Sequence, residues 1–276
     1  MSEAIFTVLT FLLAAIVILL VIAGFIRLFV EPAYVLIFNK PLYIHWYPVP
    51  KKVIPFQRQI LEREFSFYRK LSDKRKVYFE HRVKSFLMNY QFHGKDISVT
   101  EEMKAMIAGT YVMLTFGMRF YLTPLFRKII IYPGQYTSVI TQQNHKGEFN
   151  LRLKAVVFSW EDFLSGHNTT NDNVNLGLHE FAHVLHFHSK KTNGDPNASI
   201  FYDEFNEIVK YYDDAALSLE LVQRGYFREY AYENKFEFLA VLLEHFFESP
   251  QVFRKEHPEL YERVKKMINF KEEYLN

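Results

Sequence analysis

The sequence predicts an α+β chain: a mostly helical domain with a small β-sheet, preceded by one N-terminal transmembrane helix. Three observations predict it. Residues 4–26 are an uncharged apolar run. Apolar residues recur near a 3.6-residue period on both sides of the chain's middle. Between those helical blocks lie a β-branched run at 128–132 and an alternating stretch at 148–160, with no regular βαβ order.

The apolar run, AIFTVLTFLLAAIVILLVIAGFI, is long enough to cross a bilayer, for which about 20 apolar residues suffice. Met1-Ser2-Glu3 precedes it without the basic residues of a cleaved signal, so residues 1–30 read as an uncleaved anchor. No Lys or Arg precedes the run, whereas Arg27, Lys40, Lys51 and Lys52 follow it. That bias places the C-terminal side in the cytoplasm of a single-pass membrane protein. Tyr34, Tyr43, Trp46 and Tyr47 fall where interfacial aromatics lie, or pack on the domain. Lys40-Pro41 interrupts the second apolar stretch, which is not read as a span. Residues 31–53, rich in Pro and aromatics, read as a juxtamembrane linker, and residues 54–276 as one domain.

From Ile54 to about Phe92 the pattern is helical, carried by Phe56, Ile60, Phe67 and Leu71 and then by Val77, Phe79, Val83 and Phe86. Thr100 can cap a helix running to about Gly117, with Glu101 and Glu102 in its first turn. Pro124 breaks the next stretch. Lys128 to Tyr132, ending at Pro133-Gly134, reads as a strand and turn, and Glu148 to Trp160 as a second strand region after Gly147.

Composition excludes some classes. The formal net charge is +2, so no general polyanion-binding signal exists; Lys51-Lys52 and Lys74-Arg75-Lys76 read as solvated surface, and nucleic acid is not an expected partner. There are no cysteines, so any metal site must use His, Asp and Glu.

The chemistry concentrates in LGLHEFAHVLHF, Leu176 to Phe187. Asn171-Asp172-Asn173 supplies cap residues before it, and Asn193-Gly194-Asp195-Pro196 ends it. His179 and His183 are four apart and share one helix face, so both imidazoles can grip one Zn²⁺. Glu180 can reach a metal-bound water, as in the H-E-x-x-H pattern. The bland alternative is two surface histidines on an amphipathic helix. His186 lies about 10 Å along the axis from His179, too far for the same ion, and reads as a residue that supports the ligands from behind, a substrate-side residue, or simply a polar residue at the helix end. His188 points the other way and reads as a solvated histidine. A third ligand from a later helix is needed. Glu237 is the best candidate, although Asn234 and Glu237 also fit a capping box; Glu244 is the runner-up ligand, or a carboxylate that orients a ligand histidine.

The pairing of NLGLHEFAHVLHF with YAYENKFEFLAVLLEHFFESPQVFRKEHPELYERV resembles the Mlc titration factor A family of bacterial zinc peptidases, gluzincins of the M90 type. SWEDFLSGH, Ser159 to His167, also fits. The resemblance spans residues 60–270 and is strongest from Trp160 to Tyr261. It implies a zincin-like domain, similar to the catalytic domain of anthrax lethal factor, with one zinc per chain. It implies Glu237, in EFLA, as third ligand, and Tyr230, seven residues earlier, as a group that stabilises the transition state. Glu180 would then take a proton from zinc-activated water and pass it to the leaving amine of a peptide or protein substrate. Soluble members lack an anchor this long, a departure from the family; the anchor itself makes the bacterial cell membrane the expected location here. The competing function is a zinc-containing regulatory protein that sequesters a partner with little or no turnover.

Overall fold

The computed structural model describes residues 3–138, 142–169, 172–191 and 196–275. The chain divides into two compact units, one ending at Ile44 and the other starting at His45.

The first unit is one long helix. Helix α1 (Glu3–Phe25) passes through a π-helical turn, Ile26–Val30, into α2 (Glu31–Phe38). A π-turn suits this place, because Pro32 lacks the N–H that would close an ordinary turn. Helix α1 has no buried residue, and the helix from Glu3 to Phe38 is long and apolar enough to cross a membrane. At 1.5 Å per residue its 36 residues span about 54 Å, well beyond a hydrocarbon core of ~30 Å. Asn39, at φ 47°, ends it in the left-handed region and donates its N–H to the Val35 carbonyl.

The second unit opens with an irregular strap, His45 to Val53, followed by α3 (Pro55–Glu64), α4 (Ser66–Lys70) and α5 (Asp73–Asn89). The helical reading of 54–92 is therefore three helices. Phe65 and Leu71 are extended and break the run, and Phe92 belongs to strand β1 (Gln91–Gly94). Helix α6 (Glu101–Leu114) starts as expected, with the Thr100 hydroxyl accepting from the Met103 N–H, and is buried almost throughout.

Arg82, on α5, is fully buried and meets no carboxylate. It donates to the Tyr47 hydroxyl (2.8 Å) and to the carbonyls of Thr115 (2.8 Å), Phe116 (3.3 Å) and Met118 (2.6 Å). The guanidinium thus satisfies the open carbonyl end of α6 and fixes the strap through Tyr47.

Strand β2 (Lys128–Tyr132) follows, then a small ladder of β3 (Tyr136–Thr137) and β4 (Asn144–His145), then β5 (Gly147–Asn150) and β6 (Ala155–Ser159). The four-stranded sheet has the order β1-β2-β6-β5. β1, β2 and β6 are parallel, with Ile129 opposite Val156; β5 is an antiparallel edge, with Glu148 opposite Val157. The expected second strand region is thus a hairpin. Asn150 Oδ1 accepts from the Leu153 N–H at 2.9 Å, and Lys154 turns the chain at φ 48°.

Helix α7 (Trp160–Asn168) is capped by Ser159, and α8 (Leu176–Lys191) packs against α6, α7 and β5. Gly177 permits the close approach: a Cβ there would lie 2.7 Å from the Phe163 ring and 3.1 Å from Thr110 Cγ2. The cap of α8 is Asn175, whose Oδ1 accepts from the Leu178 N–H, rather than Asp172 or Asn173. Asn171 and residues 193–195, the other expected start and stop signals, lie outside the described residues. Helices α9 (Pro196–Asp213) and α10 (Ala215–Arg224), a 3₁₀ turn at Glu229–Tyr232, α11 (Lys235–Glu248), α12 (Pro250–Glu256) and α13 (Pro258–Met267) complete the unit.

Candidate metal centre

Helices α8 and α11 pack against each other and bring three side chains to one point. The ligand atoms of His179, His183 and Glu237 lie within 4.8 Å of one another and could hold a metal ion. His179 Nε2 is 3.2 Å from His183 Nε2 and 2.8 Å from Glu237 Oε2, which is 3.6 Å from His183 Nε2. A tetrahedral ion with bonds of ~2.0–2.1 Å holds its ligand atoms roughly 3.3 Å apart, so the spacing fits zinc. Glu237 Oε2 is buried, yet no ring N–H is aligned to bond it. These atoms face a common point rather than one another.

Glu237 is not a capping residue. Asn234 caps α11 alone, accepting from the N–H groups of Phe236 and Glu237. Burial raises the Glu237 carboxyl pKa, but the His179 and His183 rings outweigh it and hold the group well below the usual carboxylate range. Burial lowers the pKa of His179, and the carboxylates of Glu237 and Glu244 reverse this and push it up to about 10.

Glu244, one of the two roles read from sequence, is fully buried beneath His179. Its Oε1 lies 2.8 Å from His179 Nδ1, leaving Nε2 toward Glu237. The Asn175 N–H donates to Glu244 Oε2 at 2.8 Å, and Arg228 grips both oxygens at 2.9 and 2.8 Å. A carboxylate that holds the far nitrogen of a ligand histidine fixes its tautomer and ring orientation. Arg228 also donates to the Asn173 carbonyl, and its guanidinium lies 5.7 Å from the Tyr230 ring. Sequence reasoning missed Arg228 and Asn175, because no spacing rule links either to a carboxylate on another helix. Glu248, one turn beyond Glu244, accepts from Asn175 Nδ2 at 3.0 Å, and its other oxygen has no partner. Burial pushes Glu248 up to about 8 against that hydrogen bond.

Glu180 is buried beside the cluster, and burial raises its pKa, partly offset by the two histidines. The Phe149 backbone N–H on β5 bonds its carboxylate. Gly147 explains how β5 comes so close: a Cβ there would lie 2.7 Å from Glu180 Oε1. Tyr230 is half-exposed with its ring 5.6 Å from that of His179; burial and the Glu237 carboxylate raise its pKa.

The other two histidines of α8 correct the reading of this helix. His188 is buried rather than solvated, with Nδ1 3.1 Å from Thr123 Oγ1. His186 is buried among Phe205 and Phe236, with ring centroids 4.4 and 4.6 Å away, and neither of its nitrogens has a hydrogen bond. Burial lowers its pKa to about 4, so it remains neutral.

A His–His–Glu cluster beside a buried carboxylate that is not one of its members has the donor set of a metallopeptidase. A protein of Synechocystis sp., slr2042, which is uncharacterized, is 27% identical to this chain and is covered over 88% of its length by 80% of the chain. The sequence pattern of the glucose-regulated metallopeptidases M90 matches residues 46–268, from the strap to beyond both site helices, and places this chain in that family.

Proposed function

We propose that the protein is a membrane-anchored zinc peptidase with His179, His183 and Glu237 as ligands and Glu180 and Tyr230 as catalytic residues. The observation that carries this reading is the meeting of three ligand atoms from α8 and α11 next to a buried carboxylate that is not one of them. When bound, zinc would supply a Lewis acid that polarises a carbonyl and lowers the pKa of water toward ~7. Glu180 takes a proton from the attacking water and delivers it to the leaving amine. Its raised affinity for protons suits both halves of that transfer. The Tyr230 hydroxyl donates to the developing oxyanion, and the Arg228 guanidinium near its ring holds it in place.

The edge strand β5 supports a mode of substrate binding. Its inner side pairs with β6 and its other side is a sheet edge running along α8, where an extended peptide can add as a further strand. The helix Glu3–Phe38 is taken as the anchor, with the peptidase unit on the cytoplasmic side, as the basic residues that follow it favour.

The deciding experiment measures zinc content and cleavage of a peptide library by the purified full chain, beside Glu180→Gln. One zinc per chain and a 10²–10⁴-fold loss of cleavage in the variant, with zinc retained, is the expected result. Turnover that survives Glu180→Gln would remove Glu180 as the base. A zinc-loaded wild type that cuts nothing would favour the partner-sequestering alternative.

A further inference from the structure

We propose that the strap from His45 to Ile54, with the start of α3, is a docking face that seats the peptidase unit on an anionic lipid surface. The proposal deepens the membrane reading given above. Three observations carry it.

The strap is fixed from within. Tyr47 stacks on His81 with ring centroids 3.9 Å apart and accepts from Arg82. The Lys51 N–H donates to His81 Nδ1 at 2.9 Å, and Val53 is buried. The Ile54 N–H donates to Gln57 Oε1, and Gln57 is in turn bonded to Glu101. The segment is therefore a preformed surface, and its outward side chains are not free to fold back.

Those outward side chains are apolar. Trp46 is 73% exposed, Val49 85%, Ile54 45% and Phe56 50%. Elsewhere in this unit, among the described residues, exposed large apolar side chains are spread from Val77 to Val252, and no other eleven-residue stretch carries four of them. Scattered apolar residues are ordinary on a soluble surface; a local set that includes a Trp is the composition of a bilayer interface.

The third observation is charge. Lys51 and Lys52 are exposed between the apolar residues and make no ion pair among the described residues. Each Lys near an anionic leaflet contributes attraction to headgroup phosphates, while Trp and Phe enter the boundary below them. The chain reaches this segment directly from a helix long and apolar enough to cross a membrane, so a bilayer is the surface nearest to hand.

The chain has two Trp residues, Trp46 and Trp160, so Trp160→Phe leaves Trp46 as the sole indole. The full chain with this change is reconstituted into vesicles of phosphatidylcholine alone or with phosphatidylglycerol, each with brominated lipids as quenchers. With phosphatidylglycerol, Trp46 emission should shift to the blue and be quenched by bromines high in the acyl chains. Lys51→Glu with Lys52→Glu, and separately Val49→Asp with Phe56→Asp, should abolish the quenching while peptidase activity and zinc content persist. Emission typical of water-exposed indole, or quenching of equal size in the variants and without anionic lipid, would overturn the docking face. Release of the chain by alkaline carbonate would sink the anchor reading separately, since the docking face is read from Trp46 alone.

Discussion

Arg82 and Glu244 are both shut away from solvent, and the surroundings of the two differ in a telling way. Arg82 is matched by neutral acceptors, a tyrosine hydroxyl and three carbonyls, and its guanidinium joins the strap to the end of α6. Glu244 is also matched, by His179, Asn175 and Arg228, but it sits in a region with two more carboxylates, the buried Glu180 and the partly buried Glu237, whose Oε2 is left without a hydrogen bond. A structural buried charge is answered locally by dipoles. A region assembled to hold a cation gathers more negative groups than its own donors satisfy, and tolerates that only because something positive completes it. Surplus acceptor capacity, rather than burial of charge as such, separates the two.

Breaking the Arg82 side should have the largest effect on stability. Arg82→Met removes the guanidinium from the carbonyls of Thr115, Phe116 and Met118 in the turn that follows α6, of which Thr115 keeps the Met118 N–H, and unfolding in urea should show a loss of about 3 kcal/mol or more. Zinc affinity should be unchanged in the folded fraction. If both fall together, the two regions are one cooperative network and the contrast between them fails.

On the other side, Glu244→Gln should cost 10–100-fold in zinc affinity, measured by competition with a chelator. The His179 ring loses a charged partner, but the amide keeps the shape of the site. An unchanged affinity would mean that Arg228 and Glu244 serve packing alone.

The third test sharpens the comparison at its margin, because its effect is confined to alkaline pH. Glu248 holds its proton up to about pH 8 in the folded chain against an ordinary value of 4.5. An acid whose folded pKa is raised costs stability as pH climbs from the unfolded value to the folded one, and the cost is constant above that. Glu248→Gln should therefore raise Tm relative to wild type at pH 9 and leave it nearly unchanged at pH 4. The same Tm difference at both pH values would show that the carboxyl is not held neutral.

What could be read from sequence follows the range of the interaction. His179, Glu180 and His183 are bound by one helical period, and Thr100 and Asn234 by hydrogen bonds a few residues long, so all five are visible in the chain. Strand β1 was not, since Phe92 continues the apolar spacing of α5 and becomes a strand only because β2 lies beside it. The β5–β6 turn was hidden for the opposite reason: Leu151 and Leu153 keep the alternation going while Asn150 and Lys154 reverse the chain. Arg228 and Asn175 reach Glu244 from 16 and 69 positions away, links that arise only when the 3₁₀ turn at Glu229–Tyr232 and the start of α8 pack on α11. Glu237 lay between these cases, as local spacing allowed both a cap and a ligand and the packed helices separate the two.

The bare backbone of Gly147 over Glu180 has one more consequence. A single methyl group added there would press first on the carboxylate and on Leu176 Cδ1, both 2.7 Å away. Gly147→Ala is thus a wedge that can jam proton transfer mechanically while the ion and its cradle stay intact. On the proposed peptidase reading, a form silenced in this way would still clasp its target and release it uncut, a means of fishing that target from the cell.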